Sequence, residues 1–163
     1  MWRVVRPDSI NVWNDEQVLN RLKRYYEVFN GRKFAKMIIA SRVEVDDDLE
    51  APTKKLWDQH RKASGVFRRL LKEIDQGDTK LNNLDTPKTS YLDLKVELAK
   101  RILTNCHFCE RRCGVNRLAG ERGFCQLDAK AYVSSAFLHL GEEAPLVPSG
   151  TNARGSLWWC NLF

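Results

Sequence analysis

Four of the five cysteines fall within one stretch of 20 residues, in the pattern Cys106-x2-Cys109-x3-Cys113-x11-Cys125. A short separation between thiolates lets a tight turn present two or three sulfurs to one ion. The longer loop then returns the fourth. Four thiolates suit tetrahedral zinc and equally an iron–sulfur cluster, and the spacing does not choose between them. Gly114, Gly120 and Gly123 supply the backbone freedom such a knuckle needs. Arg111, Arg112, Arg117 and Arg122 lie close in sequence, and cationic neighbours favour thiolate over thiol while offsetting the charge of the sulfurs. A Cys109–Cys125 disulfide, a redox Cys-x2-Cys pair and buried thiols that merely pack are the alternatives. His107 lies between two candidate ligands and reads as a bystander. His60 reads as a core or boundary residue, and His139 carries no functional sign in composition alone.

The chain has 163 residues, 43% hydrophobic and 29% charged, a balance found in folded globular proteins and too apolar for a disordered chain. No run approaches the roughly 20 apolar residues that span a bilayer. Met1-Trp2-Arg3-Val4-Val5-Arg6-Pro7 lacks the apolar core and small-residue cleavage site of a signal peptide. The expectation is a cytoplasmic protein with no membrane partner, in which cysteines stay reduced unless a metal or catalysis uses them. The net charge of +6 weakly favours anionic partners, against which stands the acidic run Asp46-Asp47-Asp48.

Periodicity makes the first hundred residues mostly helical. After an irregular lead-in over residues 1–13, Asn14 and Gln17 read as a capping box. Val18, Leu19, Leu22, Tyr25, Tyr26 and Phe29 follow at helical spacing, and Asn30-Gly31 is a stop. Lys33 to Val45 reads as a short helix and then a strand, and Asp46 to Glu50 as a solvated loop. Pro52 suits the first turn of a second helix, with Leu56, His60, Ala63, Phe67, Leu70 and Ile74 on one face and Gln76-Gly77-Asp78 at its end. Ser90, with Asp93 three residues on, caps a third helix whose apolar face is expected to include Leu92, Val96, Ala99 and Leu103. Lys130 to Leu140 alternates in part and reads as a strand, and Ser156 to Trp159 as the start of another.

Three blocks resemble a known family. They are Cys106-His107-Phe108-Cys109-Glu110-Arg111-Arg112-Cys113-Gly114-Val115-Asn116-Arg117, then Gly120-Glu121-Arg122-Gly123-Phe124-Cys125, then His139-Leu140-Gly141-Glu142-Glu143-Ala144-Pro145. Together they are similar to the N-terminal part of radical S-adenosylmethionine (SAM) proteins related to the pyruvate formate-lyase activating enzyme. That family carries a Cys-x2-Cys-Pro-Arg-x-Cys-Gly-Val-Asn-Arg stretch and a His-x-Gly-Glu-Glu-Pro segment, here with one residue inserted before the proline. Cys160, in its Cys160-Asn161-Leu162 setting, resembles the first of three cysteines that hold the family's catalytic 4Fe-4S cluster. The resemblance spans residues 98–162.

It implies a 4Fe-4S cluster and S-adenosylmethionine as cofactors of complete members, with a glycyl-radical protein as substrate. It also implies that Cys106, Cys109, Cys113 and Cys125 bind zinc or an auxiliary iron–sulfur cluster. The second and third cluster cysteines do not follow Cys160, so the chain reads as truncated within the motif and inactive alone, with no catalytic residue assigned. The fold class expected is α+β, mostly α: a helical region over residues 1–104, a metal knuckle over 105–129, and the first strands of an incomplete radical SAM barrel over 130–163. Exposed apolar side chains at Phe137, Leu157, Trp158 and Trp159 would then leave the tail loosely held or prone to association. The rival function is a small basic zinc-knuckle module that binds nucleic acid or a protein. The knuckle's net charge of +2, the absence of two Cys-x2-Cys pairs and of an aromatic series make nucleic acid the less favoured partner.

Overall fold

The structure is a computed structural model that describes residues 7–46, 48–132 and 144–146. The chain divides into two compact units, one drawn from residues 1–32 and 131–163 and the other from 33–130.

In the first unit a short helix α1, Asp8–Asn11, runs into the 3-10 turn Val12–Asn14, and helix α2 spans Glu16–Phe29. From Asp8 on the lead-in is thus helical where the sequence suggested an irregular segment. Asp15 rather than Asn14 caps α2, its carboxylate accepting from the Gln17 and Val18 amides at 2.8 and 3.3 Å. Asn30 and Gly31 end the helix, with Gly31 at φ 71°. Trp13 is buried and lies against Tyr26, ring centroids 4.7 Å apart.

The second unit carries the site. Helix α3 is the single turn and a half Lys36–Ala40, α4 is Thr53–Gln76 and α5 is Tyr91–Thr104. Pro52 precedes α4, and Gly77, at φ 86°, closes it with the left-handed cap that only glycine adopts without strain. At α5 the Ser90 hydroxyl accepts from the Asp93 amide while the Asp93 carboxylate accepts from the Ser90 amide. That reciprocal pair satisfies two amide donors at the helix start.

Ala40, Val43, Ala51, Leu56, Ala63, Tyr91, Leu94 and Leu98 form the core between these helices. Leu92, Val96, Ala99 and Leu103 are not the buried face of α5: none of them is fully buried, and Val96 is 49% exposed. Helix α5 has two apolar stripes, and its rotation decides between them. The Tyr91 amide donates to the Val43 carbonyl at 2.8 Å and the Val45 amide to the Thr89 carbonyl at 3.1 Å. These bonds pin the helix start so that Tyr91, Leu94 and Leu98 point inward.

The α+β architecture is corrected. The regular structure of the described residues is helical, with no strand among them. After α3 the strand expected toward Val45 is reduced to one isolated antiparallel bridge, Glu44 to Ser90. A ladder cannot propagate there because α5 begins at Tyr91 and its amides turn to helical partners. No barrel strand is present among the described residues. The segments Lys130 to Leu140 and Ser156 to Trp159 lie outside them, apart from 130–132, which are not extended into a strand. Cys160, His139 and the apolar tail also lie outside the described residues.

Arg101 ties the end of α5 to the turn before α4. Its Nη1 donates to the Ala51 carbonyl at 2.7 Å and its Nη2 to the Leu49 carbonyl at 2.7 Å, while Nε meets Glu97 at 2.9 Å. The 46–50 segment is therefore docked at Leu49, not merely a solvated loop. Among the described residues no helix is long and apolar enough to cross a membrane.

Candidate metal centre

Helix α5 ends at Thr104, and Asn105 turns the chain into the cysteine segment. Two backbone bonds close the first loop: the Cys106 amide donates to the Val115 carbonyl at 3.0 Å, and the Gly114 amide to the Cys106 carbonyl at 2.9 Å. Inside it the Arg112 amide donates to the Cys109 carbonyl at 3.0 Å. Arg112 sits at φ 42° and Gln126 at φ 56°, so a non-glycine residue beside Cys113 and another beside Cys125 take the left-handed conformation that side chains disfavour.

The second loop is organised by Asn116. Its side chain caps the 3-10 turn Arg117–Ala119, accepting from the Ala119 amide at 3.1 Å. Its own amide donates to Glu121 at 2.8 Å, and the Glu121 amide returns to the Asn116 carbonyl at 3.1 Å. The Arg117–Ala119 turn packs on α5, which fixes the knuckle to the helical core.

Two of the cysteines meet at Arg117. This arginine is buried, 7% exposed. Its Nε donates to the Cys106 sulfur at 2.9 Å and its Nη2 to the Cys125 sulfur at 3.2 Å, and its Nη1 donates to the Leu127 carbonyl. Cys113 borders the same place. A Cβ on Gly123 would stand 2.9 Å from the Cys113 sulfur and 3.1 Å from Arg117 Nη2, and the Phe124 amide donates to that sulfur at 3.4 Å. Glycine at 123 is thus required by close approach, not by φ. Cys109 is exposed.

Burial pushes the Cys106 thiol up, but the Arg117 hydrogen bond, the Phe108 amide and the Arg117 charge outweigh it and leave its pKa below the ordinary thiol value. Cys125 is also lowered, first by the Leu127 amide and then, against burial, by Arg117.

Of the four arginines, Arg117 is the one that reaches sulfur. Arg111 lies over the Phe124 ring at 4.0 Å, Arg112 faces Glu110 at 3.9 Å, and Arg122 faces Asp128 at 3.9 Å. Phe108 and Phe124 are 56% and 66% exposed, an aromatic pair whose exposure the sequence did not reveal. His107 Nδ1 lies 2.7 Å from the Asn105 carbonyl. A carbonyl only accepts, so Nδ1 donates in this contact. His60 stands at the core boundary in α4, its Nε2 3.0 Å from the Tyr91 hydroxyl, and burial and then Lys95 lower its pKa. A cleft of about 290 Å³, lined by Trp57, Arg101, Asn105 and His107 among others, opens beside the knuckle.

As the side chains stand, no three His, Cys, Asp or Glu among the described residues are grouped closely enough to hold one ion. The donor chemistry nevertheless fits a soft metal. Two sulfurs share one guanidinium, a third borders it, and the residues that join them are loop and turn with no apolar core of their own.

No family model matches the chain. No solved structure matches it either. The chain is similar to an uncharacterized protein of Methanocaldococcus jannaschii, 46% identical over 131 residues that make up 80% of this chain and 36% of that protein. The chain therefore spans about a third of the length of the curated relative it matches.

Proposed function

We propose that Cys106, Cys109, Cys113 and Cys125 bind a metal ion or cluster that staples residues 105–127 onto the end of α5. One observation carries the reading: Cys106 and Cys125, distant in sequence, both meet the Arg117 guanidinium, at 2.9 and 3.2 Å. Guanidinium at two sulfurs stabilises the thiolate form, which is the metal ligand. A loop-rich segment with little core gains its order from such a centre. Zinc and an auxiliary iron–sulfur cluster remain the two occupants, since four thiolates suit both.

In this reading the whole protein is a cytoplasmic radical SAM protein similar to the pyruvate formate-lyase activating enzyme, with a glycyl-radical protein as its substrate. The Cys-Gly-Val-Asn-Arg block and Cys160 support it. When bound, a 4Fe-4S cluster supplies the electron that cleaves S-adenosylmethionine. Of the chain's own residues, Cys160 would contribute one ligand to that cluster. One thiolate does not hold a cluster, so the 163-residue chain is expected to leave S-adenosylmethionine intact.

Metal analysis and the visible spectrum of the chain after anaerobic purification test the metal reading. A colourless protein with one zinc, or a brown one with iron and sulfide, supports it. Stoichiometric absence of metal after reconstitution with either defeats it. The exposure of Phe108 and Phe124, with Arg111 over the Phe124 ring, favours a second reading, binding to single-stranded nucleic acid through stacking and phosphate contacts. Salt-dependent binding to random oligonucleotides would support that reading, and no binding at low salt would remove it.

A further inference from the structure

The geometry points to Arg117 as a positioning residue that holds Cys106 and Cys125 side by side and keeps donating to both sulfurs once a metal is bound. The inference rests on the proposed metal reading. It names a residue that is not itself a ligand, and a direction from which the ion approaches.

Arg117 uses all three of its nitrogens. Nε and Nη2 form the parallel edge of the guanidinium, and each carries one sulfur, Cys106 at 2.9 Å and Cys125 at 3.2 Å. That edge is the one which elsewhere grips the two oxygens of a carboxylate. Two sulfurs are thus held by one side chain. Nη1 faces the other way and is anchored on the Leu127 carbonyl. The arginine is thereby fixed from behind, with the turn Arg117–Ala119, capped by Asn116, fixing it from its own backbone.

The open side of the two sulfurs is therefore the side away from Arg117, and an ion enters there. Cys113 lies next to Gly123 at the border of this group, and Cys109 is exposed. A ligating sulfur retains lone pairs and can accept an N–H while it binds metal. Donors of this kind outside the ligand set tune both affinity and the electronic state of the centre. With four thiolates on a divalent ion the centre carries two negative charges, and one buried guanidinium offsets one of them.

The test is cobalt(II) binding to the full 163-residue chain at fixed pH, read by the sulfur-to-cobalt charge-transfer band, in the wild type and in Arg117→Gln, Arg117→Lys and the exposed control Arg122→Gln. The wild type is expected to show the band, which checks the metal reading by itself. Arg117→Gln should bind cobalt about 10–100-fold more weakly, with the band moved to lower energy. Losing an N–H donor raises the sulfur lone pairs from which the transition starts. Arg122→Gln should match the wild type in both. If Arg117→Gln loses its helical circular dichroism, Arg117→Lys decides. It keeps a charge but lacks the parallel edge, and it should show the same red shift with a smaller loss of affinity. An unshifted band and affinity within twofold of wild type, in whichever variant folds, would overturn the inference while leaving the metal reading intact. No charge-transfer band in the wild type would remove the metal reading itself.

Discussion

The helical core and the cysteine segment of the second unit are ordered by different physics. In residues 33–104 the order comes from apolar burial: Ile39, Leu56 and Leu94 are 0% exposed, and caps finish the helix ends. In residues 105–127 the buried residues are Cys106, Arg117 and Gly123, and the contacts are hydrogen bonds to carbonyls and sulfurs. Apolar burial is non-directional and tolerates repacking, whereas a polar network is high-stakes because each unmet donor costs desolvation. The first region should therefore lose stability gradually on mutation, and the second should lose its function abruptly.

The largest expected difference comes from Cys106→Ser. This buried sulfur is one of the two on Arg117, and its loss is expected to lower metal affinity by on the order of 100-fold or more while the helical circular dichroism stays near that of wild type. A large fall in helical signal would show that the two regions fold as one. Leu94→Ala reverses the pattern. Removing a fully buried leucine should cost about 2–5 kcal/mol in chemical denaturation, with metal stoichiometry in the native protein unchanged.

Two glycines sharpen the contrast. Gly123→Ala places a methyl 2.9 Å from the Cys113 sulfur and 3.0 Å from its Cβ. The overlap should cost about 1–3 kcal/mol, seen as weaker metal binding and faster amide exchange around Phe124. Gly65 lies within α4, and a methyl added there would meet nothing within 4 Å, so Gly65→Ala should raise stability by about 0.5–1 kcal/mol. Equal effects of the two substitutions would dissolve the distinction.

An effect of similar size to that of Gly65→Ala falls on the α5 cap. Ser90→Ala should cost about 1 kcal/mol. The Ser90 hydroxyl and amide hold the Asp93 carboxyl below its ordinary value, so as pH falls the unfolded chain takes up the proton first. The capping contribution is complete above the ordinary carboxylate range and is lost as pH falls through the folded value. Urea midpoints measured from neutral pH down to acid should show a shallower acid limb in Ser90→Ala than in wild type. Identical limbs would mean that Asp93 carries no net linkage.

Several local features were legible because they depend on near neighbours in sequence. Ser90 with Asp93, Gly77 after Gln76, and Asn30-Gly31 are decided within a few residues. The stripe of α5 was not legible, because Leu92, Val96, Ala99 and Leu103 are as apolar as Tyr91, Leu94 and Leu98. Only the bonds of Val43 and Val45 to the start of the helix choose between them. The strand expected before Asp46 failed for a related reason: extended sequence becomes a strand only when a partner extends beside it, and Ser90 offers a single bridging residue.

At the candidate centre, the sequence alone determined which atoms are available: four cysteine sulfurs, their spacing, and glycines that permit close turns. It also placed four arginines near them without ranking them. The tertiary fold decided that Arg117 turns inward onto Cys106 and Cys125 while Arg111, Arg112 and Arg122 turn to Phe124, Glu110 and Asp128. The physical reason is that composition sets the charge near the sulfurs, but a hydrogen bond needs direction. That direction comes from the Asn116 cap, the Leu127 carbonyl and the packing of the Arg117–Ala119 turn on α5.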